Sequence, residues 1–311
     1  MSGVAQQESS EPGFDSLIAN SGEETRYTLK GHSGASVVLH VSRPHNFVRK
    51  MAASPSSNSR LLSQIEKQRS LSRSGLPFPN IFASGISDIG CAFFDMAYVP
   101  GRTVADAVIN ATTFDVHTVV NAVEKMLWLF QFCGGETIPE DQIRSKIDSV
   151  GKTSRKYAAS NLALFETIRR CADRLRCQDW EGIPCSPSHG DLTLENILIT
   201  AEGGIVFIDC DETWVSSYWL DIGKLFQDVY GHWCLRRFYL HPGEAVQQSN
   251  AVEKLEQLGK HFRTLVESCD SRLADRLYQV AALNLFRALP YTVESSAASF
   301  ICQRVLRMLE R

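Results

Sequence analysis

The run His189-Gly190-Asp191-Leu192-Thr193-Leu194-Glu195-Asn196, followed a short way on by Ile208-Asp209, constrains this chain more than any other part of it. Between the two pieces, Ile197-Leu198-Ile199-Thr200, Glu202-Gly203-Gly204 and Ile205-Val206-Phe207-Ile208 read as the strand, turn and strand of a short β-hairpin. Such a hairpin brings Asn196 and Asp209, near its open ends, to one side. Two carboxylates and an amide in this order suit phosphoryl transfer. Asp191 would accept a proton from an attacking hydroxyl, and Asn196 and Asp209 would hold the magnesium ions that neutralise nucleotide phosphates. A lone Asp or Asn in a loop is usually a turn former or a helix cap. The full set at this spacing, on the expected hairpin, favours chemistry.

These residues resemble the aminoglycoside phosphotransferase and choline kinase-like family, small-molecule kinases that share the protein-kinase fold. The family pattern is a His-Gly-Asp loop, an Asn five residues after the Asp, an Ile-Asp metal motif and a further Asp-hydrophobic-Gly/Ala element, here Asp221-Ile222-Gly223. The resemblance implies an α+β fold of two lobes, a small antiparallel sheet with one helix and a larger, mainly helical lobe. It implies Mg2+ as cofactor and ATP or GTP as phosphate donor. By the same resemblance His189 shapes the loop through a hydrogen bond, and Asp221 anchors the loop from the following helix. The expected division is a flexible segment over 1–24, a nucleotide-binding lobe over 25–96, a hinge over 97–103 and a catalytic and acceptor-binding lobe over 104–311.

Upstream, Tyr27-Thr28-Leu29, Val37 to Val41 and Phe47 to Lys50 read as strands, with Ser33 and Gly34 in a turn whose amides could cover phosphates. A Gly-Ser turn needs no ligand, so the turn means little alone. Ser59 is placed to cap a helix carrying Leu61, Leu62, Ile65 and Leu71. Lys50 and, on that helix, Glu66 fit the kinase lysine–glutamate pair in order and spacing. Ile81 to Ala83 and Cys91 to Phe94 read as further strands. Met96 to Thr103 resembles the family's hinge, with Met96 at the back of an adenine pocket and backbone groups of Ala97 and Val99 at the adenine edge. Beyond it the apolar spacing predicts helices over 114–133, 155–177, 220–230, 244–267, 270–289 and 294–311.

Composition narrows the partners. With 32 basic and 35 acidic residues the net charge is −3, so there is no electrostatic case for nucleic acid or an anionic membrane. No apolar run is long enough for a transmembrane helix, and Met1 to Asn20 lacks the basic and apolar regions of a signal peptide. Nine scattered cysteines without a Cys-x-x-Cys pair predict reduced, mostly buried thiols in a cytoplasmic setting, Cys210 among them as a packing residue.

The expected partners are therefore a nucleotide and a small hydroxyl-bearing substrate. Gly190 stands where protein kinases carry Arg, Thr193 where serine/threonine kinases carry Lys, and only twelve residues separate Asp209 from Asp221. That spacing has no room for a peptide-docking activation loop, which disfavours a protein kinase. A kinase-fold protein that binds without catalysis would have lost Lys50, Asp191, Asn196 or Asp209, and none is lost. Asp211 and Glu212 add negative charge where an acceptor could lie. That suits an aminoglycoside, amino sugar or amino alcohol, and it equally suits ordinary surface charge.

Overall fold

In the computed structural model, residues 25–29, 35–41, 46–132, 135–240, 243 and 245–311 are described. The expected flexible segment over 1–24, and Ser33 and Gly34, lie outside them.

Five antiparallel strands form the first sheet: β1 (Thr25–Leu29), β2 (Ser36–Val41), β3 (Phe47–Met51), β4 (Ile81–Ile86) and β5 (Ala92–Ala97), in the order β1-β2-β3-β5-β4. Alternation along β3 decides where its charges go, because successive side chains leave a strand on opposite faces. Val48 and Lys50 turn inward and are buried. Arg49 turns to the other face, where its guanidinium grips both oxygens of Asp95 on β5, each at 2.7 Å.

Helix α1 (Asn58–Arg73) packs on this sheet through Leu61 and Ile65, against Ala52, Cys91, Ala92 and Phe94. Leu71 is also buried, while Leu62 of the expected apolar stripe is exposed. Ser59 lies within the helix and does not cap it. The helix start is fixed instead by Asn58, whose amide donates to Gly90 O (2.9 Å) and accepts from Ala92 N (2.7 Å). That side chain ties the first turn to the neighbouring strand directly.

The second lobe is mainly helical. It starts at β6 (Gly101–Thr103) and continues through α2 (Val104–Ile109), α3 (Val116–Gln131), α4 (Glu140–Gly151) and α5 (Leu162–Arg176). The predicted hairpin is present as β7 (Ile197–Thr200) and β8 (Ile205–Phe207), and β6 pairs with β7 to make a three-stranded sheet. Then follow α6 (Tyr218–Val229), α7 (Arg236–Leu240), α8 (Ala245–Cys269), α9 (Ser271–Asp275), α10 (Leu277–Phe286) and α11 (Ser295–Met308).

Two predicted helices are broken, the first at a capping side chain and the second at Arg276, whose backbone (φ −106°, ψ 10°) leaves the helix. The helix expected over 155–177 is a 3-10 turn (Lys152–Tyr157) and then α5, because Asn161 leaves helical geometry to accept the Leu164 N–H at 3.0 Å. The one expected over 270–289 is split into α9 and α10. Asp270 caps α9 by accepting from Arg272 N and Leu273 N, and also binds Tyr218 Oη (2.6 Å) and Trp219 Nε1 (2.9 Å).

Helices α6 and α10 pack closely, and Gly223 makes this possible. A Cβ there would run into Asn284 and Val280 of α10. The fold is thus a small antiparallel sheet with one helix, followed by a mainly helical lobe. No helix among the described residues is long and apolar enough to cross a membrane.

Candidate active site

The loop before β7 is held from α6. Ser217 caps that helix, and Asp221 in its first turn accepts the backbone N–H of His189 (2.5 Å) and of Gly190 (2.7 Å). His189 is fully buried beside Phe78 and Phe207, with ring centroids 5.7 and 6.2 Å away. Burial pushes its pKa down to about 4, so the imidazole is neutral at physiological pH. Its Nδ1 accepts the Asp191 N–H at 3.3 Å, which makes it a shaping group in the loop.

Gly190 has φ +94°, and a Cβ there would overlap the Asp211 carbonyl oxygen. The two segments are close because Asp211 N donates to His189 O at 2.9 Å. An Arg at this position, as in protein kinases, is sterically excluded.

Asp191 projects from this loop with its side chain 40% exposed. Asn196 Nδ2 donates to the Asp191 carbonyl (2.7 Å) and to its Oδ2 (3.0 Å), and Lys224 Nζ of α6 lies 3.0 Å from Oδ1. Burial alone would raise the pKa of this carboxyl. The nearby Lys224 ammonium, with hydrogen bonds from Lys224 and Asn196, outweighs burial and holds it below the usual carboxylate range. A charged, oriented carboxylate at a loop tip is what a hydroxyl-activating base requires.

Asn196 ends a 3-10 turn (Leu194–Asn196), and its carbonyl accepts from Ile208 N at 3.0 Å. The Asn196 and Asp209 ends of the hairpin are therefore neighbours, as predicted. Asp209 sits at φ +58° and accepts from Lys50 Nζ at 2.6 Å. Lys50 is 2% exposed, so this contact from β3 delivers a buried ammonium to the loop after β8. An amide oxygen and a carboxylate are hard donors of the kind magnesium takes, and Asp209 remains 38% exposed.

The expected Lys50–Glu66 pair is not formed. The inward side of α1 carries Leu61, Gln64, Ile65, Gln68 and Leu71. Glu66, two residues from Gln64, is turned about 200° around the helix. Its side chain is 70% exposed and pairs with Arg69 at 3.2 Å.

A cleft of about 570 Å³ opens between the sheet and β7, lined by Leu39, Tyr98, Gly101, Arg102 and Ile199 among others. It adjoins the segment that sequence assigns to the hinge. Met96 lies at the end of β5 with its sulfur 3.9 Å from Gln68 Nε2. Ala97 N already donates to Asn80 O (2.9 Å), so a ligand contact at Ala97 is confined to its carbonyl.

Comparison with known proteins identifies the family and the fold. The model of the phosphotransferase enzyme family (APH) matches residues 25–283. The chain belongs to that family. Its fold is similar to aminoglycoside phosphotransferase APH(4)-Ia in a ternary complex with AMP-PNP and hygromycin B. That match has 13% identity and a TM-score of 0.59, covering 94% of this chain and 96% of that one. It is also similar to choline kinase from Cryptosporidium parvum, with 12% identity and a TM-score of 0.58 over 96% and 91% of the two chains. A third similar structure is APH(3'')-Id from Streptomyces rimosus, at 16% identity and a TM-score of 0.50 over 84% and 94%. At these identities the likeness is one of fold, the kinase-like fold expected from the sequence. No curated protein matches the sequence.

Within this family fold, sequence reasoning missed several residues. Lys224 was legible: it lies three residues after Asp221 on the same helix face, a cation in an otherwise apolar run. Asp228 was not. Its Oδ2 accepts the Leu194 N–H at 2.8 Å, a second strut from α6 to the loop. Asp211, expected near an acceptor amine, is already occupied. Arg60 grips both its oxygens, Gln64 Nε2 donates to Oδ1 at 2.8 Å, and Lys67 Nζ reaches its carbonyl at 2.6 Å. Asp211 thus ties α1 to the loop. Glu212 is exposed, in a groove with Glu66, Lys67 and Thr213.

Proposed function

We propose that this phosphotransferase moves the γ-phosphoryl group of ATP or GTP to a hydroxyl of a small molecule. The observation that carries the reading is the Asp191 carboxylate, kept charged by Lys224 and oriented by Asn196 in a loop fixed by Asp221. That solved neighbours of the same fold hold ADP or AMP-PNP supports a nucleotide as donor.

In this reading residues 25–96 form the nucleotide lobe, 97–103 the hinge and 104–311 the catalytic and acceptor lobe. The base of the nucleotide enters the cleft beside Tyr98 and Ile199. Lys50, 2.6 Å from Asp209, fixes the phosphates next to the metal-binding carboxylate. Asn196 and Asp209 would hold Mg2+, which would neutralise charge on the phosphate oxygens. Asp191 orients the acceptor hydroxyl and takes its proton as the new O–P bond forms and the bond from the γ-phosphorus to the bridging oxygen breaks, releasing ADP or GDP. Lys224 then faces the negative charge on the transferred group. Phosphoryl transfer asks little covalent chemistry of a protein, so these placements account for the rate.

A cytoplasmic setting is part of the proposal. It rests on the eight described cysteines, all present as free thiols.

The test is phosphate transfer from ATP and GTP, with magnesium, to a broad panel of hydroxyl compounds, in the native protein and in Asp191→Asn. The expected result is transfer to at least one acceptor, reduced by about 10²–10⁴-fold in the variant. Nucleotide binding with no transfer to any compound would sink the enzymatic reading.

A further inference from the structure

Beside the loop, three elements bring two cations and an indole together with no carboxylate among them. Trp214 lies three residues after Asp211. The Arg287 guanidinium, just past α10, is centred 5.6 Å from the Trp214 ring, and Lys146 Nζ of α4 is 6.0 Å from the same ring. Neither cation makes an ion pair within 4.0 Å among the described residues.

Arg287 is held from behind. It donates to Asn284 Oδ1 at 2.8 Å, and the Asn284 amide is itself fastened to the Leu220 and Val280 carbonyls, each at 3.1 Å. The guanidinium therefore has a fixed orientation, yet its Nε–H is buried without a protein acceptor, as is the indole Nε1–H of Trp214. Buried donors are nearly always satisfied, and two such orphans, on a guanidinium and an indole ring 5.6 Å apart, call for an outside acceptor.

The electrostatics agree. Burial lowers the pKa of Lys146, and the Arg287 charge lowers it further, so the two cations repel each other. Burial also lowers that of Arg287, partly offset by the charges of Asp191, Tyr291 and Asp221.

We propose that Trp214, Arg287 and Lys146 form a subsite for an anionic group on the acceptor, a carboxylate or a phosphate. The inference rests on the phosphotransferase reading above and deepens it: the acceptor is a hydroxy acid or a phosphorylated hydroxyl compound. It replaces the amine suggested by Asp211 and Glu212. Asp211 is neutralised by Arg60 and does not face a ligand alone. A single anionic group accepts from Arg287 Nε and Trp214 Nε1 and relieves the repulsion between Lys146 and Arg287. The acceptor is then anchored at one end while its hydroxyl reaches Asp191.

The test has a binding arm and a transfer arm. In the first, malonate and inorganic phosphate are titrated calorimetrically into the protein with magnesium and AMP-PNP. The variants are Lys146→Gln, Trp214→Phe and Arg287→Gln. At least one anion is expected to bind at millimolar concentration, and its affinity to fall about tenfold or more in Lys146→Gln and Arg287→Gln. Nucleotide affinity should not change. Malonate without phosphate points to carboxylate acceptors, and phosphate without malonate to phosphorylated ones. Lys146 is on a helix surface and Trp214→Phe keeps the ring, so these two carry the test if Arg287→Gln fails to fold.

In the transfer arm, acceptors matched in their hydroxyl differ in the far group: carboxylate, phosphate, amine or neutral. The anionic member should have the highest kcat/KM and lose its advantage in Lys146→Gln. Anion affinity equal in all variants, no anion binding to a protein that binds nucleotide, or preference for the amine would each overturn the proposal. Failure of nucleotide binding would instead overturn the phosphotransferase reading, whatever the anions do.

Discussion

Lys224→Met separates a base that is merely present from one that is electrostatically prepared. The ammonium lies 3.0 Å from the Asp191 carboxylate, with side chains 18% and 40% exposed. For that separation Coulomb's law gives about 1.4 kcal/mol in bulk water and about 5.5 kcal/mol at an effective dielectric of 20. The partial exposure of Asp191 weights the answer toward the low end, so about 1–2 kcal/mol is the working figure after screening. In the proposed mechanism the same ammonium faces the transferred phosphoryl oxygens in the transition state, so the loss should fall on kcat. One to two kcal/mol is a factor of roughly 5–30.

The pH profile carries a second signature. Lys224 holds the Asp191 pKa down, so its removal should move the acid limb of kcat to higher pH. Lys224→Arg keeps the charge and should restore most of both. Steady-state kinetics from about pH 3 to 9, which spans the usual carboxylate range, measure all three enzymes. An unchanged kcat with an unmoved acid limb refutes the reasoning. A raised nucleotide KM with kcat intact would assign Lys224 to binding instead.

Two further tests address the loop's support. Gly190→Ala puts a methyl group against the Asp211 carbonyl at a left-handed φ of +94°. It should cost about 3 kcal/mol of stability by urea unfolding, and a cost below about 1 kcal/mol would contradict the close approach. Asp221 and Asp228 are both pushed up to about 7, chiefly by burial. A carboxyl whose folded pKa exceeds its unfolded value of about 3.9 contributes stability below the unfolded value and loses it as pH rises through the folded one. The urea midpoint should therefore fall between pH 5 and pH 8, and fall less in Asp228→Asn. A midpoint that stays level or rises, or a variant with the native slope, would refute this assignment.

How much of this was legible in the sequence depends on how local each feature is. The loop and its hairpin were legible because turn chemistry with strand alternation fixes such short-range geometry, whereas the Asp221 anchor was expected only from the family resemblance. The broken helices over 155–177 and 270–289 were misread. Apolar periodicity runs through both breaks, and they are marked only by the local cap of Asn161 on Leu164 and by the backbone turn at Arg276. Glu66 shows the limit most sharply. Its spacing from Lys50 suits a kinase pair, but the face that α1 presents to the sheet is set by Leu61, Ile65 and Leu71 together, and Glu66 lies off it.

The misplacement of Glu66 also explains what α1 does instead. In the protein-kinase arrangement the helix reports on the nucleotide lysine through a carboxylate. Here Lys50 contacts Asp209 directly, across 159 residues of sequence, and α1 reaches the next turn of the same loop through Arg60, Gln64 and Lys67 on Asp211. Both elements of the small lobe therefore grip one three-residue stretch, Asp209-Cys210-Asp211, and Asp211 N passes the constraint to His189 O. Between them Cys210 is buried, its thiol pushed up to about 12 by burial, so it serves as packing. The small lobe is coupled to the catalytic loop without the lysine–glutamate pair. An open–closed switch that works by breaking that pair, as in regulated protein kinases, has no counterpart in this pair of contacts.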